Sequence, residues 1–61
     1  MHKLPILTFD GTVMAINVDY IVKIEEREGR DGSAQCTILF ANGHTLRWQG
    51  ALVALMAELL K

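Results

Sequence analysis

Apolar and polar residues alternate along most of the chain, and short turn sequences interrupt the alternation at regular intervals. A period of two is typical of half-buried β-strands, because successive side chains of a strand point to opposite faces. Asp10-Gly11 and Asn42-Gly43 each stand between two apolar stretches, and these residue types tolerate the positive φ angles of a type I′ turn. The pattern therefore predicts two tight β-hairpins.

The segment between the hairpins predicts one further strand and a solvated loop. Residues 20–26 are rich in β-branched and aromatic side chains, which favour a strand. Residues 27–34 contain four charged side chains, two glycines and a serine, which favour a loop or a long hairpin tip. The sequence is compatible with either a binding element or a plain turn at this loop.

The final residues, 50–61, change to a helical period. Their large apolar side chains fill an arc of about 160°, whereas a helix that rests on one sheet needs roughly 100°. Alanines occupy most of the other side, and these small residues favour close contact with a second copy of the chain. The alternative is a helix that closes one end of a small barrel and is covered by its own loops. The predicted oligomer interface is Leu52, Val53, Leu55, Met56, Leu59 and Leu60.

These elements predict a single domain over residues 1–61, of the α+β class. It consists of a small antiparallel β-meander of four to five strands, strongly twisted and open to closure as a barrel, followed by one C-terminal helix. The expected core is Leu7, Phe9, Val13, Ile21, Ile24, Ile38, Phe40, Leu46, Trp48, Leu52, Leu55, Met56 and Leu59.

The length of the chain favours oligomerisation. A domain of 61 residues buries only about 60% of its unfolded surface and usually needs a disulfide, a metal or a partner subunit. Cys36 is the only cysteine, and with His2 and His44 it does not complete the four ligands of a structural zinc site. We therefore expect a homo-oligomer that holds no metal and no other cofactor.

Charge and apolar run lengths narrow the classes of partner. The formal net charge is −1, so the basic field of a typical nucleic-acid-binding domain is missing. No apolar run approaches the roughly 18 residues that span a bilayer. The start of the chain lacks the pattern of a signal peptide, and a lone thiol is typical of a reducing compartment. We expect a cytoplasmic protein without a membrane span.

A basic and aromatic cluster keeps nucleic acid as an alternative partner. Arg47 and Trp48 are adjacent, and an indole beside a guanidinium can stack on a base and contact a phosphate. Acidic residues interspersed among the basic ones reduce the local field, and Trp48 is equally well explained as a core or interface anchor. The candidate patch comprises Lys23, Arg27, Arg30, Arg47 and Trp48.

Catalysis is not expected from any group of side chains. A two-residue loop at 42–43 would pair Phe40 with Thr45 and Cys36 with Gln49, which leaves Cys36 far along the ladder from His44. Cys36 is therefore expected to be a small core residue. The carboxylates Asp10 and Asp19 are expected to stabilise turns, and Glu25 and Glu26 alternate faces of one strand, so no acid pair or metal site is predicted.

The chain contains the four short motifs LTFDG, TVMAIN, NVDYIVKIE and TILFANG, followed by an apolar helix, and together they cover most of residues 7–60. These motifs resemble the FlbD-like family of small flagellar and swarming-motility proteins. The matching positions are Leu7, Thr8, Gly11, Asn17, Asp19, Ile21, Ile24, Glu25, Asn42 and Gly43. The resemblance implies an accessory role around motility. The chain also resembles the β-strand half of LytTR-type DNA-binding domains, in which an I-x-x-I-E strand precedes an NG hairpin.

Two functions follow as expectations. The first is a non-enzymatic module that assembles with itself and docks a protein partner, since the helix is apolar and the net charge is near zero. The alternative is an oligomeric regulatory protein that binds RNA or DNA.

Overall fold

The computed structural model describes residues 4–60 and contains five antiparallel strands in two sheets, followed by one α-helix. The predicted α+β class is confirmed, and the strands do not close into a barrel. A short 3₁₀ turn, Val18–Tyr20, joins the two sheets, and His2 lies outside the described residues. The elements are β1 (Ile6–Phe9), β2 (Thr12–Ala15), β3 (Ile21–Glu28), β4 (Ala34–Phe40), β5 (Thr45–Gln49) and α1 (Leu52–Leu59).

Strands β1 and β2 form a two-stranded sheet through a two-residue turn. Asp10 and Gly11 have φ angles of 49° and 82°, and Phe9 pairs with Thr12 across the turn. Positive φ at both central residues is the requirement of a type I′ turn. The first predicted hairpin is therefore confirmed in position and turn geometry.

The register of β1 and β2 decides which side chains reach the core. Buried Leu7 pairs with Met14, so Met14 shares the inner face and Val13 lies on the outer one. Val13 was predicted to be in the core and is 65% exposed, so that prediction is wrong. Ile16, which was not predicted, is buried, and its N–H donates to the Pro5 carbonyl at 2.9 Å.

Strands β3, β4 and β5 form a three-stranded sheet, and the loop between β4 and β5 has three residues instead of two. The Phe40 N–H donates to the His44 carbonyl at 2.9 Å, and the Gly43 N–H donates to the Phe40 carbonyl at 2.9 Å. Gly43 has φ 87°, whereas Asn42 does not have a positive φ, so the type I′ turn predicted here is wrong. The predicted pairing of Phe40 with Thr45 is wrong for the same reason.

Apolar side chains on both strands explain why the longer loop is favoured. In the observed register Ile38 pairs with Leu46 and Cys36 pairs with Trp48, so apolar residues meet across the ladder. The predicted pairing of Cys36 with Gln49 would have placed Leu46 and Trp48 on the solvent face, because a slip of one residue exchanges the two faces. The free energy gained by burying the apolar face exceeds the local preference of Asn-Gly for a two-residue turn.

One hydrophobic core joins both sheets and the helix. The helix lies against β3 and β4, and β1 lies beside β5. All predicted core residues belong to this core or line it except Val13 and Met56, which are exposed. The buried side chains are Leu7, Phe9, Ile16, Cys36, Ile38, Leu55 and Leu59. Half-buried side chains pack around them: Met14, Val18, Ile21, Ile24, Phe40, Leu46, Trp48 and Leu52.

Gly50, at the junction of β5 and the helix, packs so closely on the Trp48 ring that no side chain fits there. Gly50 has φ 141°, and a Cβ added there would lie 2.5 Å from a ring carbon of Trp48. Gly50→Ala combines backbone strain with overpacking and should lower the free energy of unfolding by about 3 kcal/mol. Gly43→Ala is the control, because φ is also positive but nothing lies within 4 Å of the added Cβ. It should cost only about 1 kcal/mol. Equal losses in urea unfolding would contradict the close packing on Trp48.

Candidate functional site

Helix α1 presents apolar side chains on two sides. Leu55 and Leu59 are buried, and Leu52 is half-buried against the same core. Val53 and Leu60 lie at the far edge of the apolar arc, turned away from the core, and are 81% and 74% exposed. Because three of the six predicted interface residues pack within their own chain, only the other three are accessible to a second molecule.

The accessible residues form a continuous apolar surface, named here the helix outer face: Val53, Met56, Ala57 and Leu60. Val53, Met56 and Leu60 follow the three-and-four spacing by which one side of a helix packs on a partner. Met56 is 37% exposed, and none of the four positions is charged or polar. This surface is the part of the predicted interface that remains available.

The first hairpin has a second apolar surface, named here the hairpin outer face: Ile6, Thr8, Val13 and Ala15. The ladder pairs Ile6 with Ala15 and Thr8 with Val13, so the four side chains share one side of the two-stranded sheet. Ile6 is 68% exposed, and no charged residue occupies the face. This surface was not predicted from the sequence, although apolar residues at consecutive positions, such as Ile6 and Leu7, already indicate a hairpin with two apolar sides.

A carboxylate from the sheet fixes the start of the helix. The N-cap residue, Ala51, has no side-chain hydrogen bond, and the Leu52 N–H donates instead to the Glu26 carboxylate on β3 at 2.7 Å. A negative charge at this end of a helix also interacts favourably with the helix dipole. The Cys36 thiol donates to the adjacent Gly50 carbonyl at 3.4 Å. These two contacts set the direction of the helix and therefore which side of it is accessible.

The residues considered for catalysis do not come together. Cys36 pairs with Trp48, which is four positions along β5 from His44, a separation of roughly 13 Å. Burial raises the pKa of the Cys36 thiol, and the charge of Glu26 raises it further. The thiol therefore stays protonated and poorly nucleophilic at neutral pH.

The carboxylates of Glu25 and Glu26 have structural partners within the described part of the chain. The Asn17 side chain accepts from the Asp19 N–H at 3.0 Å, so Asn17 rather than Asp19 forms the Asx turn. Glu25 forms an ion pair with Lys23 at 3.2 Å and lies 4.0 Å from Arg27. Residues 4–60 hold no cluster of three or more His, Cys, Asp or Glu that could bind a metal ion.

The residues of the predicted nucleic-acid patch are divided between two faces. Lys23, Arg27 and Arg47 lie on the polar face of the three-stranded sheet, because each occupies the side opposite the core. Arg30, in the loop between β3 and β4, lines a shallow hollow of about 580 Å³ together with Arg47. Trp48 lies on the other side of the sheet and packs against the core. The Trp48 ring is therefore not available to stack on a base beside these basic side chains.

The loop that includes Arg30 is an ordered turn. The Ser33 hydroxyl and N–H donate to the Asp31 carboxylate at 2.6 and 3.1 Å, and these bonds lower the pKa of Asp31. The Gly29 N–H donates to the Ser33 carbonyl at 2.7 Å, which closes the hairpin.

Within residues 4–60, no helix has the length and apolarity to cross a bilayer.

The link between the sheet and the helix generates the second prediction. Glu26→Ala removes the acceptor for the Leu52 N–H and should lower the free energy of unfolding by about 1 kcal/mol. Glu26→Gln retains an acceptor oxygen and should lose less. Glu28→Ala, at an exposed position on the same strand, is the control and should change stability by less than about 0.5 kcal/mol. Urea unfolding measures all three. Equal effects of the two alanine variants would show that the contact does not stabilise the helix.

Comparison with known proteins identifies no relative of this chain. Protein-family models, curated proteins and solved structures were each searched, and none of them matches the chain. The resemblance to the FlbD-like family is therefore neither supported nor contradicted.

Proposed function

We propose that this chain is a non-enzymatic interaction module that self-associates through the helix outer face and docks a protein partner. The observation that carries the proposal is the exposure of Val53 and Leu60 on a helix whose other side already fills the core. An apolar side of a helix that no part of its own fold covers is typical of an interface. Burying such side chains stabilises an assembly by on the order of 2 kcal/mol each.

The absence of catalysis is part of the proposal. The only thiol is buried and has a raised pKa, and His44 lies at the hairpin loop, remote from it. A free, buried cysteine also fits a reducing, cytoplasmic setting. We propose a cytoplasmic location on this ground.

A role around motility is the biological context that the family resemblance suggests. Most positions that carry the resemblance have structural roles in this chain: Gly11 and Gly43 adopt positive φ angles, and Asn17 caps the 3₁₀ turn. These residues specify turns and strands rather than a binding surface. The resemblance therefore suggests an accessory role around motility, and the exposed helix outer face suggests that this role is performed through protein contacts.

Nucleic-acid binding is the second candidate. It is favoured by the location of Lys23, Arg27 and Arg47 on one exposed face of the sheet. The ion pairs that Glu25 makes on the same face reduce its positive field. Without an aromatic platform from Trp48, any binding would depend on phosphate contacts alone.

Light scattering on the native chain and two variants tests self-association. The native protein should have the mass of a discrete oligomer at micromolar concentration. Leu60→Glu should be a folded monomer, because it places a charge on the helix outer face and leaves the core intact. Thr45→Glu adds the same charge at an exposed position on β5 and should leave the oligomer unchanged. A native protein that is folded and monomeric would contradict the proposal.

Binding of mixed-sequence RNA and DNA distinguishes the two candidates. For an interaction module we expect affinity no tighter than about 1 µM at physiological salt, the level of non-specific contacts. A nucleic-acid-binding protein would bind more tightly, lose affinity steeply as salt rises, and show a smaller salt slope in Arg47→Gln. Fluorescence anisotropy at several salt concentrations measures both quantities.

A further inference from the structure

Strand β3 has an open outer edge. The three-stranded sheet has the order β3-β4-β5, and within the described part of the chain no strand pairs with the other side of β3. The Gly50 N–H donates to the Ala34 carbonyl, so the backbone groups of even-numbered residues of β4 point to β5 and those of odd-numbered residues point to β3. The residues of β3 that pair with even-numbered positions therefore direct their N–H and C=O groups outward: Ile24, Glu26 and Glu28.

Helix α1 lies above this edge. It contacts β3 and β4, and Glu26 of β3 binds its first N–H, whereas β1 lies beside β5. Successive helix residues are about 100° apart, so Met56 and Leu60 lie about 70° and about 110° from the centre of the buried side. The hairpin occupies the β5 side of the same core. The exposed flank of the helix is therefore turned toward the open edge of β3.

We infer that β3 of one copy pairs antiparallel with β3 of a second copy around a two-fold axis, with Lys23 opposite Glu25 of the partner subunit. The inference rests on the proposed self-association through the helix outer face and specifies its geometry. The two sheets become one continuous sheet, and both helices lie on the same side of it. The edge is about 26 Å long, about twice the length of the helix, so it extends the interface well beyond the two helices.

The charges along β3 favour a second copy as the partner and select its register. Lys23, Glu25 and Arg27 alternate in sign on the polar face of the strand. Charged side chains usually keep edge strands apart, but this alternation allows an antiparallel copy to neutralise them. With Ile24 on the two-fold axis, Lys23 and Glu25 form two reciprocal pairs, and Ile24 meets its own copy on the helix side. Placing Lys23, Glu25 or Glu26 on the axis instead would oppose like charges.

The spacing of the helices fits this dimer. Neighbouring strands are about 4.8 Å apart, so a helix above the line between β3 and β4 lies about one strand spacing from the axis. The two helix axes are then about 10 Å apart, within the range of about 8–10 Å at which helices pack. Their facing sides carry Met56 and Leu60. The helix outer faces therefore meet in the same dimer in which the edges pair.

Complementary charge variants test the pairing. Lys23→Glu and Glu25→Lys each oppose like charges in a homodimer, so each should dimerise at least about tenfold more weakly than the native chain. In an equimolar mixture, the acidic residues of the first variant face the basic residues of the second, which should restore the native dissociation constant. Arg47→Glu makes the same charge change on β5, away from the edge, and should leave the dimer unchanged. Sedimentation equilibrium measures all of these.

The other outcomes separate the inference from the proposal on which it rests. If Lys23→Glu dimerises like the native chain while Leu60→Glu does not, self-association stands and the β3 edge is outside the interface. If the mixture dimerises as weakly as its components, Lys23 and Glu25 do not lie opposite each other, and the inferred pairing is wrong. A monomeric native chain would refute self-association itself.

A double variant keeps the test decisive if either single variant fails to fold, as judged by circular dichroism. Lys23→Glu/Glu25→Lys retains the ion pair that these two residues make within one chain. It should dimerise with itself, because the exchanged charges again lie opposite each other, but not with the native chain, where like charges would meet. Free exchange of subunits between the double variant and the native chain would overturn the pairing.

Discussion

The register between β4 and β5 is the constraint on which the rest of the structure depends. The three-residue loop at 41–43 aligns Ile38 with Leu46 and Cys36 with Trp48, which places the apolar side chains of both strands on one side of the sheet. Helix α1 and the first hairpin both pack on that side. A slip of one residue would turn Arg47 toward the core and Leu46 and Trp48 toward solvent. The packing of β1 beside β5 therefore depends on one short loop.

Sheet and helix are linked at one point, and this link determines what the helix presents to solvent. Glu26 holds the first turn of the helix from a strand that lies 26 residues earlier. With its start fixed, the helix directs Leu55 and Leu59 toward the core. Val53 and Leu60, which lie further around the helix, are then exposed to solvent. A helix whose inner and outer sides are both apolar has no preference of its own for one rotation. Packing on the sheet and the contact with Glu26 supply that preference.

Much of the fold could be predicted from the sequence, because the first hairpin and the helix have strong local patterns. The type I′ turn at Asp10-Gly11 is an example, since both residues satisfy its φ angles. The register at Asn42-Gly43 could not be predicted from the turn residues, because Gly43 fits both a two-residue and a three-residue loop. Only the pairing of Ile38 with Leu46 and of Cys36 with Trp48, outside the turn, favours the three-residue loop. Consecutive apolar residues in β2 likewise give no local reason to place Met14 rather than Val13 inside.

The position of Trp48 gives the molecule an internal spectroscopic reporter. It is the only tryptophan of the chain, and its ring lies under Gly50, where β5 passes into the helix. Indole emission depends on the polarity of its surroundings, so a displacement of the Gly50 junction that exposes this ring to water would shift the emission to longer wavelength. The state of the junction that orients the helix can therefore be followed without a label, in the native chain and at low concentration.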